Sequence, residues 1–224
     1  MPQSLDGPRL APASGGAPDR LVVLVHGYGA DGNDLIGLGR HWQRLLPTAA
    51  FAAPNAPQRC DGNPMGYQWF PITRLDPNEM AAGVDSAAPL LRDFLDAELA
   101  AHGLDGSRLA LVGFSQGTMM ALHVGPHLAP GPVGILGYSG ALVAPERLAR
   151  AAAKPPVMLV HGDADDMVPV AAMHAAAGAL GDAGFRVRWH VARGVGHGID
   201  PEGLEMGGRF IADCFAQTPA AAAG

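Results

Sequence analysis

The sequence predicts an α/β fold organised as a doubly wound, mostly parallel sheet, and three observations carry that prediction. Short β-like apolar runs alternate with longer helical segments along the chain. Most of those runs are apolar at consecutive positions, the pattern of strands covered by helices on both faces, whereas a half-exposed strand would alternate. Finally, 224 residues with 48% hydrophobic and 16% charged content suffice for one α/β domain with a substantial core.

The strand-like runs fall at 21–25, 49–53, 108–112, 133–136, 157–160 and 186–191, and the helical segments at 33–46, 83–101, 116–128, 170–180 and 204–215. The first run ends in His26-Gly27-Tyr28-Gly29 and the second in Pro54-Asn55-Ala56-Pro57. The third meets Gly113-Phe114-Ser115-Gln116-Gly117 and passes at once into a helical segment. The fifth ends in His161-Gly162-Asp163-Ala164-Asp165-Asp166, after which Val168-Pro169 reads as a helix start. The sixth leads into Gly194-Val195-Gly196-His197-Gly198. Residues 21–217 are expected to form one domain, with 1–20 a flexible N-terminal segment and 218–224 a flexible tail, both rich in Pro, Gly or Ala.

Composition removes several function classes. A formal net charge of −6, with 14 Arg scattered rather than clustered, argues against nucleic acid or an anionic membrane as partner. The start of the chain lacks a basic, apolar leader, and Gly, Pro or charge interrupts every apolar run before it reaches membrane-spanning length. The expectation is a cytoplasmic protein without stable membrane insertion. Cys60 and Cys214 read as free thiols outside any metal-binding spacing.

In a parallel sheet, ligands bind outside the carboxyl ends of the strands. What the strands deliver there is a serine, several aspartates and a histidine, in the chain order Ser, Asp, His that α/β-hydrolases use. The motif around Ser115 is weak alone, because tight glycine turns are common in a chain with 31 Gly. Its partners strengthen it. A serine hydroxyl attacks at neutral pH only when an imidazole takes its proton, and the imidazole needs a carboxylate to fix its tautomer. His197 is the candidate base, since it lies in a glycine-flanked loop past the last strand, whereas His190 falls within a strand and His174 on a helix. His26 and His161 read as supports of turns at strand ends, and His41 and His102 as exposed helix residues. His123 and His127 have metal-compatible i, i+4 spacing but no third ligand nearby, and read as surface residues. Asp163, Asp165 and Asp166 share one loop, and the residues alone leave the choice of acid open.

The segments LVHGYGADGNDLIGL, APNAP, GFSQG, HGDADDMVP and GVGHGIDPEGLEMGGRFI together resemble the phospholipase/carboxylesterase family of α/β-hydrolases, which includes bacterial carboxylesterases and acyl-protein thioesterases. The resemblance runs from about residue 21 to 215. It implies an α/β-hydrolase fold, Ser115 as nucleophile, His197 as base, and Asp165, the aspartate of H-G-x-x-D, as acid. It also implies an oxyanion hole made by the backbone N–H groups of Tyr28 and Gln116. Tyr28 stands where the family often has leucine, a change that keeps the backbone donor and bears on the pocket mouth. No metal or organic cofactor is implied, and the resemblance allows a homodimer.

Only residues 140–154 separate the fourth run from the Pro155-Pro156 that precedes the fifth, too few for a separate cap domain, so an open site is expected. The segment 60–71 is the candidate apolar wall, with Trp69 and Phe70 either facing substrate or packing the loop onto the sheet. The expected activity is hydrolysis of a carboxylic ester or thioester, of the carboxylesterase, lysophospholipase or acyl-thioesterase type, on a small-molecule substrate. A peptidase, lactone or polymer hydrolase on the same scaffold is the rival enzyme, and a weakly active binding protein the rival of another class.

Overall fold

Backbone hydrogen bonding in a computed structural model, which describes residues 5–74 and 76–217, turns the apolar runs into one seven-stranded sheet. In chain order the elements are β1 (Arg9–Leu10), β2 (Arg20–Val25), α1 (Gly32–Trp42), β3 (Ala49–Ala52), β4 (Gln58–Cys60), β5 (Asn63–Gln68), α2 (Pro77–Ala101), β6 (Leu109–Phe114), α3 (Gln116–Val124), β7 (Gly134–Tyr138), β8 (Val157–Gly162), α4 (Val170–Asp182), β9 (Val187–Ala192) and α5 (Pro201–Ala216). The sheet runs β1-β3-β2-β6-β7-β8-β9, parallel throughout except for the antiparallel β1. The β4–β5 hairpin forms a separate two-stranded sheet.

Successive side chains of a strand point to opposite faces, and here both faces are covered. Leu21, Val23 and Val25 join the core beneath α2, α3 and α4 with Leu91, Met120 and Leu180, while Val22 and Leu24 join the core beneath α1 and α5 with Trp42, Phe210 and Ile211. That two-sided burial is why β2 and β6 lack a period of two. The edge strand β9 is the exception, with Trp189 55% exposed.

Local chemistry starts the helices. Asp31 and Asp34 form a reciprocal capping box at α1, and Asp76 and Asp200 cap α2 and α5 immediately before a proline. The Trp42 indole N–H donates to the Leu204 carbonyl at 3.0 Å, tying α1 to α5.

Three expectations are corrected. Within the segment 1–20 expected to be flexible, Leu5 is buried and Arg9–Leu10 pairs with Ala52 and Phe51, with the Arg9 guanidinium on the buried Glu98. The second helical segment begins at Pro77 rather than 83; Gly83 is interior to it because a Cβ there would collide with the Phe70 ring. The third stops at Val124 and continues as a 3-10 turn, Gly125–His127. The tail expected at 218–224 lies outside the described residues.

Between β7 and β8 the described chain carries one 3-10 turn, Pro145–Arg150, and no cap domain. No helix among the described residues is long and apolar enough to cross a membrane. From β2 the chain winds outward to β3, then returns through the hairpin and α2 to β6 on the other side of β2. The carboxyl ends of β2 and β6 are therefore the point where strand order reverses, where a crevice opens in such sheets.

Candidate active site

At the end of β6 the chain turns so sharply that α3 begins one residue later, with Ser115 at the bend at φ 54°, ψ −117°. That positive φ disfavours any residue with a Cβ. The turn closes because its flanks are glycines: a Cβ on Gly113 would strike the Gly117 carbonyl, and one on Gly117 would strike the Val25 carbonyl. The Ser115 N–H donates to the Tyr138 carbonyl at 2.9 Å, and the Ser115 carbonyl accepts from Thr118 at 3.0 Å, so the bend is fixed from both sides. The Gln116 N–H, in the first turn of α3, has no partner among the described residues and points from the positive end of the helix dipole.

A second donor stands in the loop after β2, which packs against the serine turn: a Cβ on Gly27 would lie 3.1 Å from Ser115 Cβ. The Tyr28 N–H has no partner among the described residues, while its neighbours are bonded: Gly29 N–H to the Tyr67 carbonyl at 2.8 Å and Tyr67 N–H to the Ala30 carbonyl at 2.7 Å. Those two bonds clip the loop to β5, and the φ of 77° at Gly29 makes the turn possible. His26 supports it from below. Its Nδ1 donates to the Gly27 carbonyl at 2.7 Å and its Nε2 accepts from the Ala56 N–H at 2.9 Å, which sets a neutral imidazole. Burial holds its pKa below the ordinary imidazole value. The Tyr28 side chain is 37% exposed, and the neighbouring Cys60 thiol raises the phenol's pKa.

The loop after β9 brings in His197, whose Nδ1 lies 2.8 Å from Asp165 Oδ2. The Asp165 carboxylate is fully buried, and its Oδ1 accepts from the N–H groups of Met167 and Val168, both at 2.9 Å. Burial alone would raise its pKa, but the hydrogen bonds from Val168, His197 and Met167 outweigh burial and lower it. His161, read from sequence as a turn support, does more than that. Its buried Nε2 meets the Val168 carbonyl at 2.7 Å and lies 3.3 Å from Asp165 Oδ2, so the carboxylate has imidazoles on two sides. Its position four residues before Asp165 was the available signal.

The other two aspartates of that loop turn elsewhere. Asp163 accepts from the Gly194 N–H at 2.6 Å, and Asp166 is exposed. The Phe114 ring packs 5.0 Å from the His197 imidazole, and the Ser139 hydroxyl reaches the Gly198 carbonyl at 3.3 Å, so the histidine loop sits against the serine turn. The Ser115 hydroxyl and His197 Nε2 make no hydrogen bond among the described residues; such contacts commonly tighten only when substrate binds. This arrangement can activate a hydroxyl, steady an imidazolium and receive a developing oxyanion.

Trp69 and Phe70 do not line the crevice. They are 1% and 0% exposed and belong to the core under the site. The Trp69 N–H donates to Gln116 Oε1 at 2.9 Å, Gln116 Nε2 donates to the Phe70 carbonyl at 2.8 Å, and the Trp69 indole donates to the His26 carbonyl at 3.0 Å. Their role is to hold the two donor-bearing loops together. This clamp was invisible in the sequence because it joins residues 47 positions apart. His123 is paired with Asp85 at 3.2 Å and His127 with backbone carbonyls, and among the described residues no three ligating side chains gather around a metal-sized space.

The model of the phospholipase/carboxylesterase family matches residues 12–215. Acyl-protein thioesterase 1 of Gibberella zeae is 30% identical over 208 residues, covering 85% of this chain and 88% of that protein. Esterase YpfH of Escherichia coli is 29% identical over 197 residues, covering 85% and 82%. Among solved structures, esterase PE8 superposes with a TM-score of 0.90 at 46% identity, covering 95% of this chain and all of that one.

Proposed function

The chain belongs to the phospholipase/carboxylesterase family of α/β-hydrolases, and we propose that its carboxylic ester and thioester hydrolysis runs through an acyl-enzyme on Ser115. His197 Nε2 takes the hydroxyl proton as Ser115 Oγ attacks the carbonyl carbon, and Asp165 holds the imidazole in the required tautomer. The carbonyl oxygen becomes an oxyanion received by the Tyr28 and Gln116 N–H groups, each such donor being worth about 10²–10³ in rate. As the bond to the leaving oxygen or sulfur breaks, the imidazolium returns its proton to it. Water then attacks the acyl-enzyme with the same base, freeing the acid and Ser115.

The observation that carries this reading is the buried Asp165–His197 bond, placed against a serine turn that bears two unpartnered N–H groups. Ionisation of Asp165 is secured by its own hydrogen bonds, so it can steady a cation without taking the proton. We place the enzyme in a reducing compartment, the cytoplasm, which suits Cys60 and Cys214, buried thiols that form no disulfide among the described residues.

The test is intact mass after brief exposure to a fluorophosphonate, beside Ser115→Ala, followed by hydrolysis of p-nitrophenyl esters from acetate to palmitate and one matched thioester. One adduct mapped to Ser115 and absent from the variant is expected. No adduct on folded protein, with ligand binding unaffected by the substitution, would return the weakly active binding protein.

A further inference from the structure

Next to Phe114 and Gly198, the residues that flank His197, lies a pocket of about 430 Å³, with His26 also in its lining, that the catalytic steps above leave unused. It opens between α1 and the segment after His197, and its walls are largely carbon: Ala30, Leu35, Leu38, Phe114, Ile199 and Leu204. Gly27 and Gly198 bring it to the residues next to Tyr28 and His197. Asp34 contributes the one carboxylate of the lining, at its exposed rim, already engaged with the Asp31 N–H at the start of α1.

We propose that this pocket receives the alcohol or thiol part of the substrate and selects apolar leaving groups without negative charge. The inference rests on the serine hydrolase reading above. Asp165 occupies Nδ1 of His197, so the proton returned to the leaving atom comes from Nε2, and that atom must come within about 3 Å of it. The leaving group therefore extends from the carbonyl on the imidazole side. The pocket adjoins the imidazole through its neighbours: it shares Phe114, whose ring packs on His197, and Gly198, which follows His197 in the chain, and that adjacency is what assigns it to the leaving group.

Size and charge narrow the chemistry. At about 30 Å³ per water-sized group, the volume holds roughly fourteen such groups, enough for an alcohol of up to about ten carbons in an open pocket. The Asp34 carboxylate disfavours a phosphate-bearing thiol at the same mouth. The octyl and benzyl alcohols are the class that fits.

Gly37 provides a clean probe, because it lies on the pocket wall and a Cβ there meets nothing within 4 Å. Gly37→Phe adds a ring at that wall where there is room for its Cβ, and it replaces a mid-helix glycine, which a helix tolerates. With the acetyl group held constant, kcat/KM of the wild type is expected to rise at least tenfold from ethyl to octyl acetate. In Gly37→Phe that gain should fall to within about threefold, with Ser115 labelled as before. An acetyl thioester of octanethiol should likewise outrun one of a phosphorylated thiol. If Gly37→Phe instead alters the acyl-chain series on ethyl esters, the pocket holds the acyl part and the proposal is overturned. Unchanged alcohol preference overturns it as well. Failure of the wild type to label at Ser115 would sink the underlying reading, an outcome separate from either.

Discussion

Replacing Gln116 by methionine should destabilise the protein by about 1–4 kcal/mol, although the side chain is uncharged and the substitution nearly preserves length. Gln116 is fully buried, and both of its amide atoms are spent on the backbone after the hairpin, on Trp69 N–H at 2.9 Å and Phe70 C=O at 2.8 Å. Methionine leaves one donor and one acceptor unsatisfied in the core, at about 1–3 kcal/mol each. Relief from burying the amide itself offsets roughly 1–2 kcal/mol. For a chain of this length each kcal/mol lowers Tm by about 2–4 °C, so a fall of roughly 2–16 °C is expected. Urea unfolding should show a lower midpoint at constant m, since the same surface is exposed on unfolding. The backbone N–H at position 116 is untouched, so fluorophosphonate labelling of the folded fraction should persist. A loss below about 0.5 kcal/mol, the level of an ordinary surface change, would refute the view that this amide clamps the hairpin exit to the serine turn.

Two further predictions concern charge. Asp165→Asn should lower kcat by about 10⁴, the order seen when the carboxylate of such a triad becomes an amide, whereas Asp166→Asn should change it less than twofold; the reverse ranking would move the acid by one position. Stability should decline on acidification from pH 7 to 5, because His26, and His123 beside it in behaviour, are held by burial below the ordinary imidazole value. A depressed folded pKa means the contribution is complete above the unfolded value of about 6.5 and is lost as pH falls through the folded one. Asp165 contributes nothing to that window, since its own depressed pKa keeps it ionised until pH falls below the usual carboxylate range of about 3.9. A flat urea midpoint between pH 7 and 5, measured at fixed ionic strength, would contradict this account.

The parts of the fold legible in sequence were those dictated by neighbours in the chain. Strands buried on both faces announce themselves as unbroken apolar runs, and Ser115 and His197 stand at strand ends between glycines. What escaped depends on contacts across the fold. The strand Arg9–Leu10 is too short to show a period and exists because β3 offers it an edge. In the hairpin, Gly62, Pro64 and Gly66 mask any alternation; Gly66 is required because a Cβ there would collide with the Gly29 carbonyl. Trp69 and Phe70 looked as much like a wall as a core, since an aromatic pair in a loop carries no mark of which way it turns. The start of α2 was within reach, because Asp76-Pro77 is a capping signal that Gly83 obscured. Among Asp163, Asp165 and Asp166 the sequence was silent without the family pattern, and in the fold Asp165 is the one of the three on His197.

The bend at Ser115 also bears on how this chain would drift under selection. At φ 54° the backbone favours glycine, and keeping a serine there costs about 1–3 kcal/mol. Any search for thermal robustness that ignores turnover is drawn toward Ser115→Gly, which relaxes the backbone and, on the proposed mechanism, silences the chemistry in one step. Relatives that have lost activity would be free to accumulate that change, and a working enzyme is held away from it only by its product. A melting comparison in which Ser115→Gly gains nothing over Ser115→Ala would show that no such tension exists.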